Sequence, residues 1–502
     1  MALSPRTRGL LTAASLLAVG VAQDTCAMVG NLTSIEVLGP LALGYITDQT
    51  EYWSSSCSDL LPSCILKPTT TEEVAAIVSI LATNNETFAT KSGGHNPNNW
   101  FASVDGGPLI STEALNEVIL DIASETVTIG PGNRWDDVSA ALDGTGYTAV
   151  GGRIGNVGVG GYMLGGGLSF MSTQYGWAAN SVLQYTLVLA NATILTVTNE
   201  TYPEIFMVLK GGGNNFGIVT SYVVQAYPQG DVWGGTLLID ADDETDAQML
   251  AALRDFTEYY PDEKAAVIVT GERTLATLAR LWVVFLYYNG PEVPAGVFDN
   301  FTSIGTPIST AKTQSLNSLL SANNIYVLKG QVYTIGTETM PLPSAANLDV
   351  MNEMFQTWVN VSNTVALVPG VVASIAFQPA PKMLATIAAS KGGDMIDIDA
   401  DVDRIFIELD YSFTFNASYP EIDTTMRNTY RNLQATVQKN QAAGALPSDV
   451  FLPLFQNDCF YPEDYWGRLR PEKLALAQRV QADVDPTGFF ATRTGGFKIP
   501  ST

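Results

Sequence analysis

The residue with the most chemical potential is His95, the one histidine among 502 residues. It sits in Lys91-Ser92-Gly93-Gly94-His95-Asn96, a loop expected to follow a short strand near Phe88. A neutral imidazole is a nucleophile, and flanking glycines let the backbone carry it against a bound group. One imidazole cannot supply a multi-histidine zinc site, and if His95 is committed to a ligand no Ser-His-Asp triad can be assembled. A second titratable set, Glu408, Asp410 and Tyr411, falls on a predicted strand running from Arg404 to Phe415. Alternation puts Glu408 and Asp410 on one face with Phe406, and Leu409 and Tyr411 on the other, so at most one set can face a ligand.

Glycine is the other signal. The chain has 44, clustered at Gly93-Gly94, across Gly151 to Gly167, and at Gly211-Gly212-Gly213 with Gly217. Backbone amides turned inward form anion-binding nests, so such loops suggest a ligand that carries phosphate. Two standard nucleotide readings fail on spacing. A Walker loop needs Gly-Lys, which the chain lacks, and after Gly158 and Gly160 the Rossmann pattern meets Met163 where it requires glycine.

These loops need elements to hold them. Thr70 and Glu73 have capping-box spacing at the start of an amphipathic helix reaching about Leu81. Strands are expected at Val118 to Ile122 and Thr126 to Ile129, a helix at Trp135 to Leu142, and a hairpin about Asn191-Ala192. Tyr227-Pro228-Gln229-Gly230 reads as a boundary. Beyond it, long strands such as Leu281 to Tyr288 alternate with polar helices, an α+β pattern built on an antiparallel sheet. Trp53, Trp100, Trp135, Trp177 and Tyr175 read first as core, with a cavity wall as the alternative. Asp397, Asp399, Asp401 and Asp403 with Glu408 copy a calcium loop, but Val402 stands where the turn needs glycine, so a solvated loop and no metal is expected.

Composition bounds the function. With 46% hydrophobic and 15% charged residues the chain can bury a large core, which excludes wholesale disorder. A net charge of -25 repels phosphate backbones, so nucleic acid is a poor partner. Arg6 and Arg8 followed by an apolar run from Gly9 to Val21 have the layout of a secretory signal, and no later run is long enough for a membrane helix. A secreted glycoprotein is expected, with N-glycans at several of Asn31, Asn85, Asn191, Asn199, Asn300, Asn360 and Asn416. The four cysteines allow three connectivities; Cys57 with Cys64 is the local pair, and Cys26 with Cys459 would then tie the ends.

The ordered set Ser92-Gly93-Gly94-His95-Asn96, Gly130-x-Gly132 with Trp135, Val157-Gly158-Val159-Gly160-Gly161, and Gly211 to Val219 resembles the vanillyl-alcohol-oxidase, or PCMH-type, flavoproteins. More narrowly it is similar to the fungal berberine-bridge-enzyme-like oxidoreductases, and Val484-Asp485-Pro486 with Phe489 resembles that family's closing motif. Behind the signal segment read at 1–22, the resemblance implies an α+β fold: a two-subdomain FAD-binding domain over 23–229, a substrate domain with a large antiparallel sheet over 230–450, and a C-terminal segment over 451–502 returning to the FAD domain.

It also implies FAD joined to His95 through the flavin 8α-methyl group, with Ser92, Gly93, Gly94, Asn96, Gly155, Val157, Gly158, Gly160, Gly161, Gly217, Ile218 and Asn457 around it. Ile154 stands where doubly linked relatives carry cysteine, so a single covalent bond is expected. Val157, a small side chain near the reactive face, favours an oxidase passing two electrons from an alcohol or amine carbon to O2, giving H2O2. The paired proton needs a base; Tyr411, Glu408 and Asp458 are the candidates, and the tyrosine that relatives often place beside Asn457 is absent. The alternatives are a carbohydrate oxidase, a dehydrogenase or cyclase on the same scaffold, and a non-catalytic secreted binding protein.

Overall fold

The computed structural model describes residues 24–274 and 279–500; the expected signal segment lies outside the described residues. Three sheets position the site. The first carries Glu36–Leu38, Cys64–Lys67, Pro108–Ser111 and Ala89–Lys91 in that order, the last three parallel. The helix Thr71–Leu81 buries Val74, Ile77, Val78 and Leu81, the i, i+3, i+4, i+7 spacing of one helical face. Thr70 caps it by accepting from Glu73 N at 3.2 Å. The Glu73 carboxylate reaches back to Thr69 N rather than to Thr70, one residue beyond the expected box. The strand Ala89–Lys91 ends directly before Ser92, so the histidine loop leaves a sheet edge.

The second sheet is antiparallel, in the order Val118–Asp121, Thr126–Ile129, Ile218–Gln225, Val182–Val188, Ile194–Val197. The expected hairpin turns at Ala192, whose φ is +65°. The segment Gly151 to Gly167 does more than turn: Val159–Leu164 forms a short helix inside it.

The third sheet has eight strands among the described residues. Its central order is Val232–Asp240, Ala279–Tyr288, Ala265–Thr274, Val372–Ala380, Arg404–Phe413, Val332–Pro341, all antiparallel. Alternation divides its residues between two faces. Val269, Val284, Ile375, Ile407 and Leu409 enter a core with Met351, Phe355, Trp358 and Leu433 of the helices Asp349–Ser362 and Tyr419–Ala442. The other face turns toward the glycine loops. The Asp397 to Asp403 run is only partly the solvated loop expected: Asp401 is exposed, but Asp399 bonds Arg404 and Arg470, and Asp403 is buried against Lys382.

The disulfide differs from the local pair expected. Cys26, on the helix Thr25–Leu32, is bonded to Cys64 at the head of its strand, with Cα atoms 6.0 Å apart. Cys57 and Cys459 are free and buried. Cys57 instead packs its thiol against the carbonyls of Asn96 and Pro97 beside the histidine loop, which takes it away from Cys64.

Candidate active site

A cavity of about 380 Å³ lies between the free face of the third sheet, the glycine loops and the segment after Phe455. Of the residues expected around a flavin, Ser92, Gly93, Gly94, His95, Asn96, Val157, Gly158, Gly160, Gly161, Gly217, Ile218 and Asn457 all line it. The two loops cross at backbone contact: a Cβ on Gly158 would stand 2.3 Å from Gly93 N, and one on Gly93 would stand 2.5 Å from Gly158 Cα. No side chain fits at either position. Gly161 is different, since a Cβ there would meet nothing within 4 Å and would point into free space. Ser92 Oγ ties the loops together, donating to Pro131 O and accepting from Gly160 N. Asn457 Oδ1 accepts from Gly167 N at 3.2 Å, which anchors the C-terminal segment over the same loops.

His95 is stacked on Trp53, with ring centroids 4.5 Å apart, and Trp53 stacks in turn on Tyr333. Its Nε2 is buried without a hydrogen-bond partner. Burial, then the nearby Arg134 guanidinium, lowers its pKa to about 3, so the imidazole is neutral at any working pH. A neutral ring held rigidly at a cavity wall with a free nitrogen can act as a nucleophile.

The sheet wall is acidic. Cross-strand register sets Glu272 opposite Ser374 and Ser374 opposite Asp410, while one rung away Thr270, Ala376 and Glu408 form a second row. All six line the cavity, and Asp458 and Arg153 complete its charged groups among the described residues. Burial raises Glu272. Burial also raises Glu408 against the pull of Arg153, and raises Asp410 well above the carboxylate range, helped by the charges of Glu408 and Asp458. Two such carboxyls side by side titrate as a pair that holds on to a proton above the usual range, and Asp410 is raised the further of the two. Asp458 is raised by burial and by the Glu408 charge.

Two expected residues fall elsewhere. Tyr411 points to the opposite face of its strand, as alternation requires, and its hydroxyl bonds Ser362 and Thr429 inside the helix-covered core. Gly155 is outside the cavity lining; a Cβ there would stand 1.8 Å from Asp136 Oδ1, so its glycine serves the packing of the helix Trp135–Leu142. Among the aromatics Trp53 lines the cavity, Trp135 and Trp177 are core, Tyr175 stacks on Tyr227, and Trp100 is exposed. Sequence reasoning missed Arg153, Glu272 and Gln378. Glu272 had a signal, a charge at alternate spacing from Ile268 and Thr270 in an apolar strand.

A flavin nucleotide fits this arrangement, because the cradle left open at Gly161 and the unpartnered Nε2 of His95 face one continuous cavity. Comparison with known proteins agrees. Residues 62–198 match the FAD binding domain family. An uncharacterized FAD-linked oxidoreductase of Arthroderma benhamiae is 38% identical, over 93% of each chain. A FAD-dependent monooxygenase of Aspergillus calidoustus is 29% identical, over 91% of this chain and 86% of that one. The solved berberine bridge enzyme of Eschscholzia californica shares the fold at a TM-score of 0.75 and 17% identity, covering 95% of this chain and 99% of that one. With its own glycine cradle, histidine and acidic sheet wall in one cavity, and with the fold of berberine bridge enzyme, the chain belongs to the FAD-linked oxidoreductases.

Proposed function

We propose that the protein is a secreted oxidase whose FAD is attached covalently, and once, through His95. The carrying observation is the neutral, stacked imidazole with a free nitrogen at the cavity wall. Ile154 lines the cavity where a second attachment would need cysteine, and no cysteine is among the lining residues. Bound FAD supplies the two-electron acceptor for a small organic substrate and returns the electrons to O2 as H2O2. The protein supplies the rest. Glycine loops bring backbone to the cofactor, the sheet wall excludes water, and the Glu408–Asp410 pair accepts the proton released when an alcohol or amine carbon is oxidised. The small Val157 side chain at the cavity supports access for oxygen. All seven sequon asparagines are exposed, which supports passage through the secretory pathway.

Acid precipitation of the purified protein tests the attachment. Yellow colour should stay with the wild-type polypeptide and be released, or never incorporated, in His95→Ala; colour released from wild type sinks the covalent reading. Peroxide formed per substrate oxidised tests the reaction: close to one supports an oxidase, oxygen inserted into product a monooxygenase, and neither a dehydrogenase.

A further inference from the structure

A directed chain of hydrogen bonds crosses the cavity wall. Arg153 donates to Gln378 Oε1, and Gln378 donates through Nε2 to Asp458 Oδ2 at 2.8 Å. A guanidinium carries only donors, so the amide has one permitted orientation, with its oxygen toward Arg153 and its NH2 toward Asp458. Gln378 is 1% exposed on the strand Val372–Ala380, which denies it water as an alternative partner. Asp458 Oδ2 is therefore an acceptor, and a proton on Asp458 has to sit on Oδ1, to which the described residues offer no hydrogen bond.

We propose that Gln378, clamped by Arg153, is a positioning residue that confines the Asp458 proton to Oδ1, so that Asp458 presents a hydrogen-bond donor to the substrate while Glu408 and Asp410 present an acceptor. The proposal rests on the reading of the Glu408–Asp410 pair given above. Burial, then the Glu408 charge, favour the protonated form of Asp458, against the pull of Arg153 and of the Gln378 hydrogen bond. The titratable groups around it are Glu408 and Asp410 of the strand Arg404–Phe413, Arg153 of the glycine segment, Tyr162 of the helix Val159–Leu164 and the adjoining Cys459. Donor and acceptor thus come from different elements. A substrate that uses both carries a lone pair on an oxygen or nitrogen beside the group that loses its proton, as a diol, an amino alcohol or a hydroxyketone does.

The test is pH-titrated difference infrared spectroscopy of the FAD-loaded protein without substrate. Wild type should show the C=O stretch of a protonated carboxyl that disappears in Asp458→Asn. Gln378→Leu removes a bond to the charged form, so the midpoint of that band should rise by about one pH unit. Gln378→Glu keeps an acceptor for Arg153 but invites the Asp458 proton toward Oδ2, so the band should move to lower wavenumber. Absence of an Asp458-dependent band in wild type overturns the proposal. So do an unchanged midpoint in Gln378→Leu and an unshifted band in Gln378→Glu, alone or together with a loss of thermal stability. None of these readings depends on peroxide or on the His95 bond, so the proposed oxidase stands or falls separately.

Discussion

At the scale of single residues, the acidic wall separates groups that share a strand. Glu408 and Asp410 face the cavity, whereas Tyr411, the neighbour of Asp410 in sequence, is in the core with its hydroxyl satisfied by Ser362 and Thr429. Glu408→Gln should lower kcat by about 10²- to 10⁴-fold, the range expected for loss of a general base. Tyr411→Phe should leave kcat within a few-fold and cost about 1 kcal/mol of stability from the lost hydrogen bonds. Steady-state kinetics of the two variants with one substrate separate these roles, and equal losses would sink the assignment. The pair also sets a pH dependence. An acceptor acts when ionised, and burial raises both carboxyls, Asp410 strongly. kcat/KM should therefore rise with pH, with its acidic limb above the ordinary carboxylate range of about 4; a limb at or below that range in the wild-type profile would contradict the proton held by the pair.

At the scale of elements, two glycines of one loop make opposite predictions. Gly158→Ala forces a methyl into the backbone of Gly93, and backbone cannot rotate aside as a side chain can. Its melting temperature should fall even without FAD. Gly161→Ala meets no protein atom, so the apoprotein should melt as wild type does while less of the protein incorporates FAD. Differential scanning fluorimetry with the flavin-to-protein absorbance ratio reads both. Much of this was legible in sequence. Period-two alternation placed Glu408 and Asp410 together, cap chemistry placed the helix at Thr71, and the glycine motifs found the cavity. What stayed hidden were contacts between distant elements. Arg153 and Gln378 are 225 residues apart and carry no local signature of their bond. Gly155 looked like its neighbours because a packing glycine and a ligand-contact glycine are written alike. The disulfide was misplaced because sequence proximity of Cys57 and Cys64 says nothing about the direction in which Cys57 faces.

At the scale of the whole molecule, a chain of net charge -25 buries many of its acids. Burial raises Glu408, Asp410, Asp458, Glu463, Glu272, Asp246, Asp394 and Asp485. Between the unfolded value of each, about 4, and its higher folded value, the native state binds more protons than the unfolded chain, so stability falls as pH rises. His95 works in the opposite direction. Its pKa is lowered to about 3, so in the same window the native state lacks a proton that the unfolded chain takes up. That is one group against eight, and repulsion among the surplus carboxylates also grows with pH. Buried and half-buried lysines oppose the trend only at higher pH, since Lys91, Lys210 and Lys391 fall to about 8 and Lys498 to about 7. Below the window the sign reverses, because Glu51, Glu353 and Asp399, lowered by hydrogen bonds and cationic neighbours, lose their stabilisation when protonated. The FAD-loaded protein should therefore melt higher at pH 5 than at pH 7, by scanning calorimetry at constant ionic strength. Asp410→Asn, neutral at both values, should narrow the difference, and a melting temperature that climbs from pH 5 to pH 7 would show that the buried acids are ionised in the native state.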